Sequence, residues 1–159
     1  MRLILFSAFF LLGSSLFAQK IPSTSVKNKV GESVSFSSLI KQDTIYIISF
    51  WTTWCKPCIS QLEEISETYV DLQRSFHLNL IAVSLDDSVS SPKVFPRAQR
   101  TGWTYEVVLD QNQDLAKALE VQNVPTVLIV NRNREIVYNH SGYSTESLDD
   151  ILTALNKIR

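Results

Sequence analysis

The chain has 159 residues, with 15 Lys and Arg against 16 Asp and Glu, for a net charge of −1. That balance, with no basic cluster anywhere, argues against a nucleic-acid-binding role. The length and a 45% hydrophobic content fit one domain with a substantial core.

Met1–Ala18 stands apart from the rest. Arg2 gives a charged start, Leu3–Leu12 is apolar except for Ser7, and Ala18 offers a small residue before Gln19. This is the pattern of a secretory signal peptide. The apolar stretch from Leu3 to Phe17 is shorter than the roughly 20 residues of a spanning helix, so cleavage is expected over a retained membrane anchor. The expected domain is residues 19–159. Without Arg2 it keeps 14 basic residues against 16 acidic ones, a net −2.

Gln19–Lys29 is polar and reads as a loosely held lead-in. Val30–Phe36 alternates and contains Gly31, which predicts a short N-terminal hairpin, followed by a helical turn and loop over Ser37–Asp43. Thr44–Phe50 is a β-branched apolar run, expected to be a strand buried on both faces. A helix then starts at Cys55-Lys56-Pro57-Cys58. Its Cys58, Leu62, Ile65, Tyr69, Leu72 and Phe76 fall on one face, and Glu63, Glu64, Glu67 and Asp71 fall on others. That spacing puts Cys58 in line with the core and leaves Cys55 at an exposed mouth.

Leu78–Leu85 is the next strand, ended by Asp86-Asp87-Ser88. Ser91-Pro92 opens a helix that Pro96 is expected to kink or split before Arg100. A short strand follows at Tyr105–Leu109, and Asp110 is placed to cap a helix carrying Leu115 and Leu119. Val127–Val130 and Glu135–Asn139 flank Asn131–Arg134 as a hairpin. The closing helix is expected over Thr145–Lys157, with Thr145 as its cap and Leu148, Ile151, Leu152 and Leu155 inward.

Cys55 and Cys58 are the chain's two cysteines. A structural staple across two intervening residues yields little chain-entropy gain, since that gain grows with loop length. A dithiol between a buried strand and a helix start is instead suited to thiol–disulfide exchange. The attacking species is a thiolate. The helix dipole at Cys55 stabilises it by about 0.3–1 kcal/mol in exposed geometry, so deeper activation needs hydrogen bonds to the sulfur.

The apolar strand, Trp54-Cys55-Lys56-Pro57-Cys58, the amphipathic helix and a distant Val124-Pro125-Thr126 before another apolar strand, in that order, resemble the thioredoxin superfamily. The surplus around Asp86–Leu109, the leader, and Phe50-Trp51-Thr52-Thr53-Trp54-Cys55-Lys56-Pro57-Cys58 narrow the resemblance to the TlpA/ResA-like family of exported bacterial thioredoxins. It covers roughly residues 22–159. It implies a thioredoxin-like α/β fold in three α/β/α layers, with a central mixed sheet, the N-terminal hairpin and an inserted helix and strand. It further implies a periplasmic, monomeric thiol–disulfide oxidoreductase with no cofactor, which reduces protein disulfides and is resupplied by a membrane dithiol donor. Cys55 would attack and Cys58 resolve. Trp54, Pro57, Val124 and Pro125 would receive the substrate, with Pro125 after a cis bond. Gly142 would bring the backbone close to the dithiol.

Two departures stand out. The buried Asp of thioredoxins, six residues before the first cysteine, is replaced by Ser49, and the Glu that TlpA/ResA-like relatives often place three after the second is Gln61. Water, or a displaced acid such as Glu63 or Glu64, is left to take the Cys58 proton.

Two other functions fit parts of the pattern. Thr52-x-x-Cys55 matches the motif of peroxiredoxins, but Ser49 stands where that family has Pro. Two soft thiolates could also hold Cu(I) as a copper chaperone, although the thioredoxin-like chaperones space their cysteines by three residues and add a His. His77 and His140 are not at ligand spacing to each other or to the dithiol, and no metal is expected.

Overall fold

The computed structural model describes residues 20–158, so the expected leader, Met1–Ala18, lies outside the described residues. The β-branched run around Ile47 forms β3, Ile45–Trp51, and every residue of it is buried. Such a strand must lie inside a sheet covered on both faces. Parallel to it on one side runs β4, Leu78–Ser84, and antiparallel on the other runs β6, Thr126–Val130. Outward from β4 come β5, Glu106–Leu109, then β1, Ser25–Lys27, and β2, Ser33–Ser35; outward from β6 comes β7, Ile136–Ser141. The described residues thus form a mixed seven-stranded sheet in the order β2-β1-β5-β4-β3-β6-β7.

Alternation along the central strands divides the core in two. Ile45, Ile47 and Trp51 face one layer, while Tyr46, Ile48 and Phe50 face the other. The first layer holds α2, Lys56–Phe76, α3, Val94–Thr101, and α5, Ser147–Lys157. The second holds α1, Phe36–Leu39, and α4, Asp114–Ala118. This is the three-layer thioredoxin-like architecture. The stripe from Cys58 to Phe76 is buried throughout α2. His77 donates the last helical N–H, to the Gln73 carbonyl, and its left-handed φ of 53° then turns the chain out of the helix.

The inserted helix is in two pieces, a 3-10 turn over Ser91–Lys93 and then α3. The break falls before Pro96, not at it. Pro96 sits in the first turn of α3, where backbone N–H groups have no intrahelical acceptor to lose. The insertion is keyed to the core by aromatic rings. Trp103 meets Trp51 edge-on at 5.1 Å and stacks on Tyr105 at 5.4 Å, and Tyr105 meets Tyr69 edge-on at 5.6 Å. The Tyr105 hydroxyl donates to the Leu62 carbonyl of α2 at 3.2 Å.

Several expectations need correction. The expected loose lead-in is ordered over Ser25–Lys27, where β1 lies and buries Val26; the hairpin pairs Ser25–Lys27 with Ser33–Ser35. Thr145 does not cap α5. The Ser147 hydroxyl accepts from the Ser144 N–H at 2.8 Å, tightening a turn that delays the helix to Ser147. The last strand runs to Ser141, two residues past Asn139. Asp110 is not at the N-cap of α4, which is Gln113, yet its carboxylate reaches into that helix and accepts from the Ala116 N–H at 2.9 Å.

Burial pushes the Asp110 carboxyl above its ordinary range, against the opposing pull of the Ala116, Leu115 and Asp114 N–H groups. A carboxyl that holds its proton to higher pH when folded destabilises the fold at neutral pH. That penalty fades as pH falls through the folded-state value, and it is absent below the unfolded value of about 3.9. Asp110→Asn keeps an acceptor for Ala116. It is expected to raise the Tm at pH 7, with the gain vanishing below about pH 3.5. Paired thermal melts across that range check this.

Candidate active site

The parallel strands β3, β4 and β5 all end at one edge of the sheet, where ligands of open α/β folds bind. β6 begins at the same edge, because its antiparallel register pairs Phe50 with Thr126. The chain therefore leaves β3 and enters the Thr52–Cys55 turn beside Val124-Pro125, which precedes β6. A hydrogen bond from the Cys55 N–H to the Thr52 carbonyl, 3.2 Å, closes that turn.

Cys55 is the N-cap residue of α2. It is disulfide-bonded to Cys58, with S–S 2.00 Å and Cα–Cα 5.3 Å. The Cys55 sulfur also accepts from the Cys58 N–H at 3.2 Å, the kind of backbone donor that stabilises negative charge on the sulfur. Cys58 is 0% exposed. Cys55 is 6% exposed, so its expected open mouth is a narrow one; the site's accessible apolar surface is Trp54, 70% exposed. Lys56 and Pro57 are exposed in the first turn of α2. Val124 is half-buried, Pro125 is buried, and the bond between them is cis. Gly142 meets the segment that carries the cis bond. Its N–H donates to the Pro125 carbonyl at 2.8 Å. No atom would obstruct a side chain there, so glycine answers to the positive φ of 101°.

Of the two displaced acids, Glu64 is engaged elsewhere and Glu63 points to solvent. Glu64 accepts the hydroxyl of Tyr143, a hydrogen bond that pushes the phenol's ionisation upward and ties the segment after Gly142 to α2. Ser49 and Gln61 are buried, and neither the Ser49 hydroxyl nor the Gln61 amide has a partner among the described residues. By strand alternation Ser49 faces the layer of α2. Ser49→Asp would place there a carboxyl whose burial favours the protonated form, so that it titrates closer to neutrality and can act as a base. We expect faster release of a trapped mixed disulfide near neutral pH and a lower Tm. Stopped-flow release from a fluorescent substrate across pH 6–8, with unchanged rates in the folded variant, would exclude a role for this proton in limiting resolution.

The residue that sequence reasoning missed is Asp86. It is 1% exposed. It accepts the Thr53 N–H at 2.8 Å, the Thr53 hydroxyl at 2.6 Å and the Ser84 hydroxyl at 2.8 Å. Three donors on one buried carboxylate fix the turn that presents Trp54 and Cys55. The sequence offered only an acidic pair ending a strand, which is an ordinary turn signal.

With the fold and dithiol established, comparison with known proteins is decisive. Residues 17–139 match the AhpC/TSA family. The chain belongs to this thioredoxin-like family. A thioredoxin-like protein from Porphyromonas gingivalis, solved in solution, is 40% identical, with a TM-score of 0.79 over 89% of this chain and 92% of that one. Thiol-disulfide oxidoreductase ResA of Geobacillus kaustophilus is 29% identical over 112 residues, 70% of this chain and 62% of the relative. Sporulation thiol-disulfide oxidoreductase A of Bacillus subtilis is 32% identical over 102 residues, 62% of this chain and 60% of the relative. The matches thus span less than two-thirds of the length of these two curated relatives.

Among the described residues, no three His, Cys, Asp or Glu side chains gather as a metal site. His77 is exposed, and the His140 ring stacks on Tyr138 at 6.3 Å. No described helix is long and apolar enough to cross a membrane.

Proposed function

We propose that this chain is an exported thiol–disulfide oxidoreductase that reduces protein disulfides. The observation that carries the reading is the Cys55–Cys58 pair at the N-terminus of α2, with a backbone N–H on the Cys55 sulfur. In the reduced protein, the Cys55 thiolate attacks a substrate disulfide, forming a mixed disulfide and expelling one substrate thiolate, which takes up a proton. The Cys58 thiolate then attacks the Cys55 sulfur, and the second substrate thiolate leaves and is protonated. The substrate gains two electrons and two protons, and the enzyme is left as the disulfide seen here. A membrane dithiol donor would return the electrons.

Trp54 and Pro57 on one side, and Val124-Pro125 on the other, form the rim for an extended substrate segment. The exposed indole and the half-buried Val124 at the same sheet edge support this. The backbone of Val124 would pair with the substrate as an added strand.

Insulin reduction driven by dithiothreitol tests the activity. Acceleration over dithiothreitol alone supports it. Tight stoichiometric Cu(I) binding without insulin reduction would favour a chaperone, and rapid peroxide turnover would favour a peroxidase. Export predicts that protein recovered from its host begins at Gln19 by mass spectrometry, whereas an intact Met1 in the membrane fraction would establish an anchor.

A further inference from the structure

Beside the dithiol lies a groove of about 440 Å³ that the exchange chemistry does not use. Thr53 and Trp54 form one wall; the 3-10 turn and α3 form the other with Pro92 and Pro96, and with Lys93, Arg97 and Arg100. Val94 and Ala98 turn into the core, so the three cations lie on the outer side of this segment. Among the described residues, none of the three has a carboxylate within ion-pair distance; the pairs that form are Arg74–Asp71 and Lys117–Asp114. Asp87, in the loop before this segment, accepts the Val89 and Ser90 N–H groups, which hold its carboxyl below the ordinary range, and it forms no ion pair with the three cations.

Three unpaired cations side by side are unexpected in a chain of net charge −1. They create a local positive field next to the reactive sulfur, in which an anionic partner gains attraction. The seven residue-to-residue steps from Lys93 to Arg100 cover about 10 Å of helix axis at 1.5 Å per step. An extended peptide covers that distance in about three residues. The indole of Trp54 and the two prolines add apolar surface to the facing walls, suited to a polypeptide.

From this we infer that the groove between Trp54 and the Lys93–Arg97–Arg100 face docks an acidic segment flanking the disulfide of a protein substrate. The inference rests on the oxidoreductase reading and narrows its substrate class. The acidic flank would leave the Cys55 site past Trp54 and lie along α3, and its carboxylates would be steered in by the unpaired cations.

The test uses two peptides that carry the same disulfide, one flanked by Asp and Glu and the other by Lys, together with the small neutral 2-hydroxyethyl disulfide. Rates are measured for the parent and for Arg97→Glu/Arg100→Glu, with Lys93→Glu as an independent single change. We expect the parent to reduce the acidic peptide at least about tenfold faster than the basic one at low ionic strength, a margin that shrinks with salt. The double variant should lose or invert that preference, and Lys93→Glu should weaken it. Both should reduce 2-hydroxyethyl disulfide at the parent's rate, which also shows that they are folded. Equal rates on the two peptides, or a preference that survives charge reversal, while 2-hydroxyethyl disulfide is still turned over, would overturn the docking surface and leave the oxidoreductase intact. If none of the three disulfides is reduced, the oxidoreductase reading fails and the docking surface falls with it.

Discussion

Cys55→Ser is expected to reduce disulfide reduction to background, whereas Cys58→Ser should complete the first half of the exchange and accumulate mixed disulfides. The asymmetry follows from position. Cys55 caps α2, its sulfur receives a backbone N–H, and it retains some exposure. Cys58 starts the buried stripe of α2 and has no exposure at all, so a bulky disulfide cannot reach its sulfur first. It can reach the neighbouring Cys55 sulfur, as the bond between them demonstrates. Mass spectrometry after incubation with substrate should find an adduct on Cys55 in Cys58→Ser and none on Cys58 in Cys55→Ser. In the reduced protein, iodoacetamide at mildly acidic pH should label Cys55 faster than Cys58; the reverse order would contradict the assignment.

The second large effect is expected from Asp86→Ala. Removing this carboxylate leaves the Thr53 N–H, the Thr53 hydroxyl and the Ser84 hydroxyl without their acceptor in a nearly closed space. A buried group stripped of its partner costs about 1–3 kcal/mol. Allowing for relaxation and water entry, the sum is about 3 kcal/mol, or a Tm drop of roughly 10 °C for a domain of this size. Activity should fall as well, because the released turn holds Cys55. Asp86→Asn keeps the shape and part of the acceptor set and should lie between parent and Asp86→Ala in both Tm and rate. A positioning role also predicts slower alkylation of Cys55 in both variants under conditions where each is fully folded. Loss of stability with unchanged Cys55 reactivity would reduce Asp86 to a structural residue.

The parts of this molecule legible in the sequence are those in which one physical signal dominates. The run around Ile47 could only be a doubly covered strand, and the Cys58–Phe76 spacing could only be a helix face. The dithiol fell at their junction. The cis bond at Pro125 and the layer arrangement came from family resemblance and were not derivable from local chemistry. What stayed hidden depends on distant partners. β1 has Val26 as its one buried residue, and it exists because Leu109 and the residues of β2 pair with it. Asp86 reads as a turn acid until β4 is placed parallel to β3, which delivers it to Thr53. Glu64 was a candidate base until the chain beyond β7 returned Tyr143 to it. The cationic face of α3 becomes a wall only when the insertion is folded back beside Trp54.

The central claim is that Cys55 and Cys58 exchange with other disulfides and do not merely staple the start of α2. Equilibration in glutathione and dithiothreitol buffers of graded potential, followed by alkylation and mass analysis of the two thiols, tests it directly. The account predicts a reversible two-electron transition, with both cysteines titrating together at a potential above about −300 mV, the range of catalytic and not structural disulfides. A pair that remains oxidised well below about −300 mV, or that fails to equilibrate with the buffer, would contradict it.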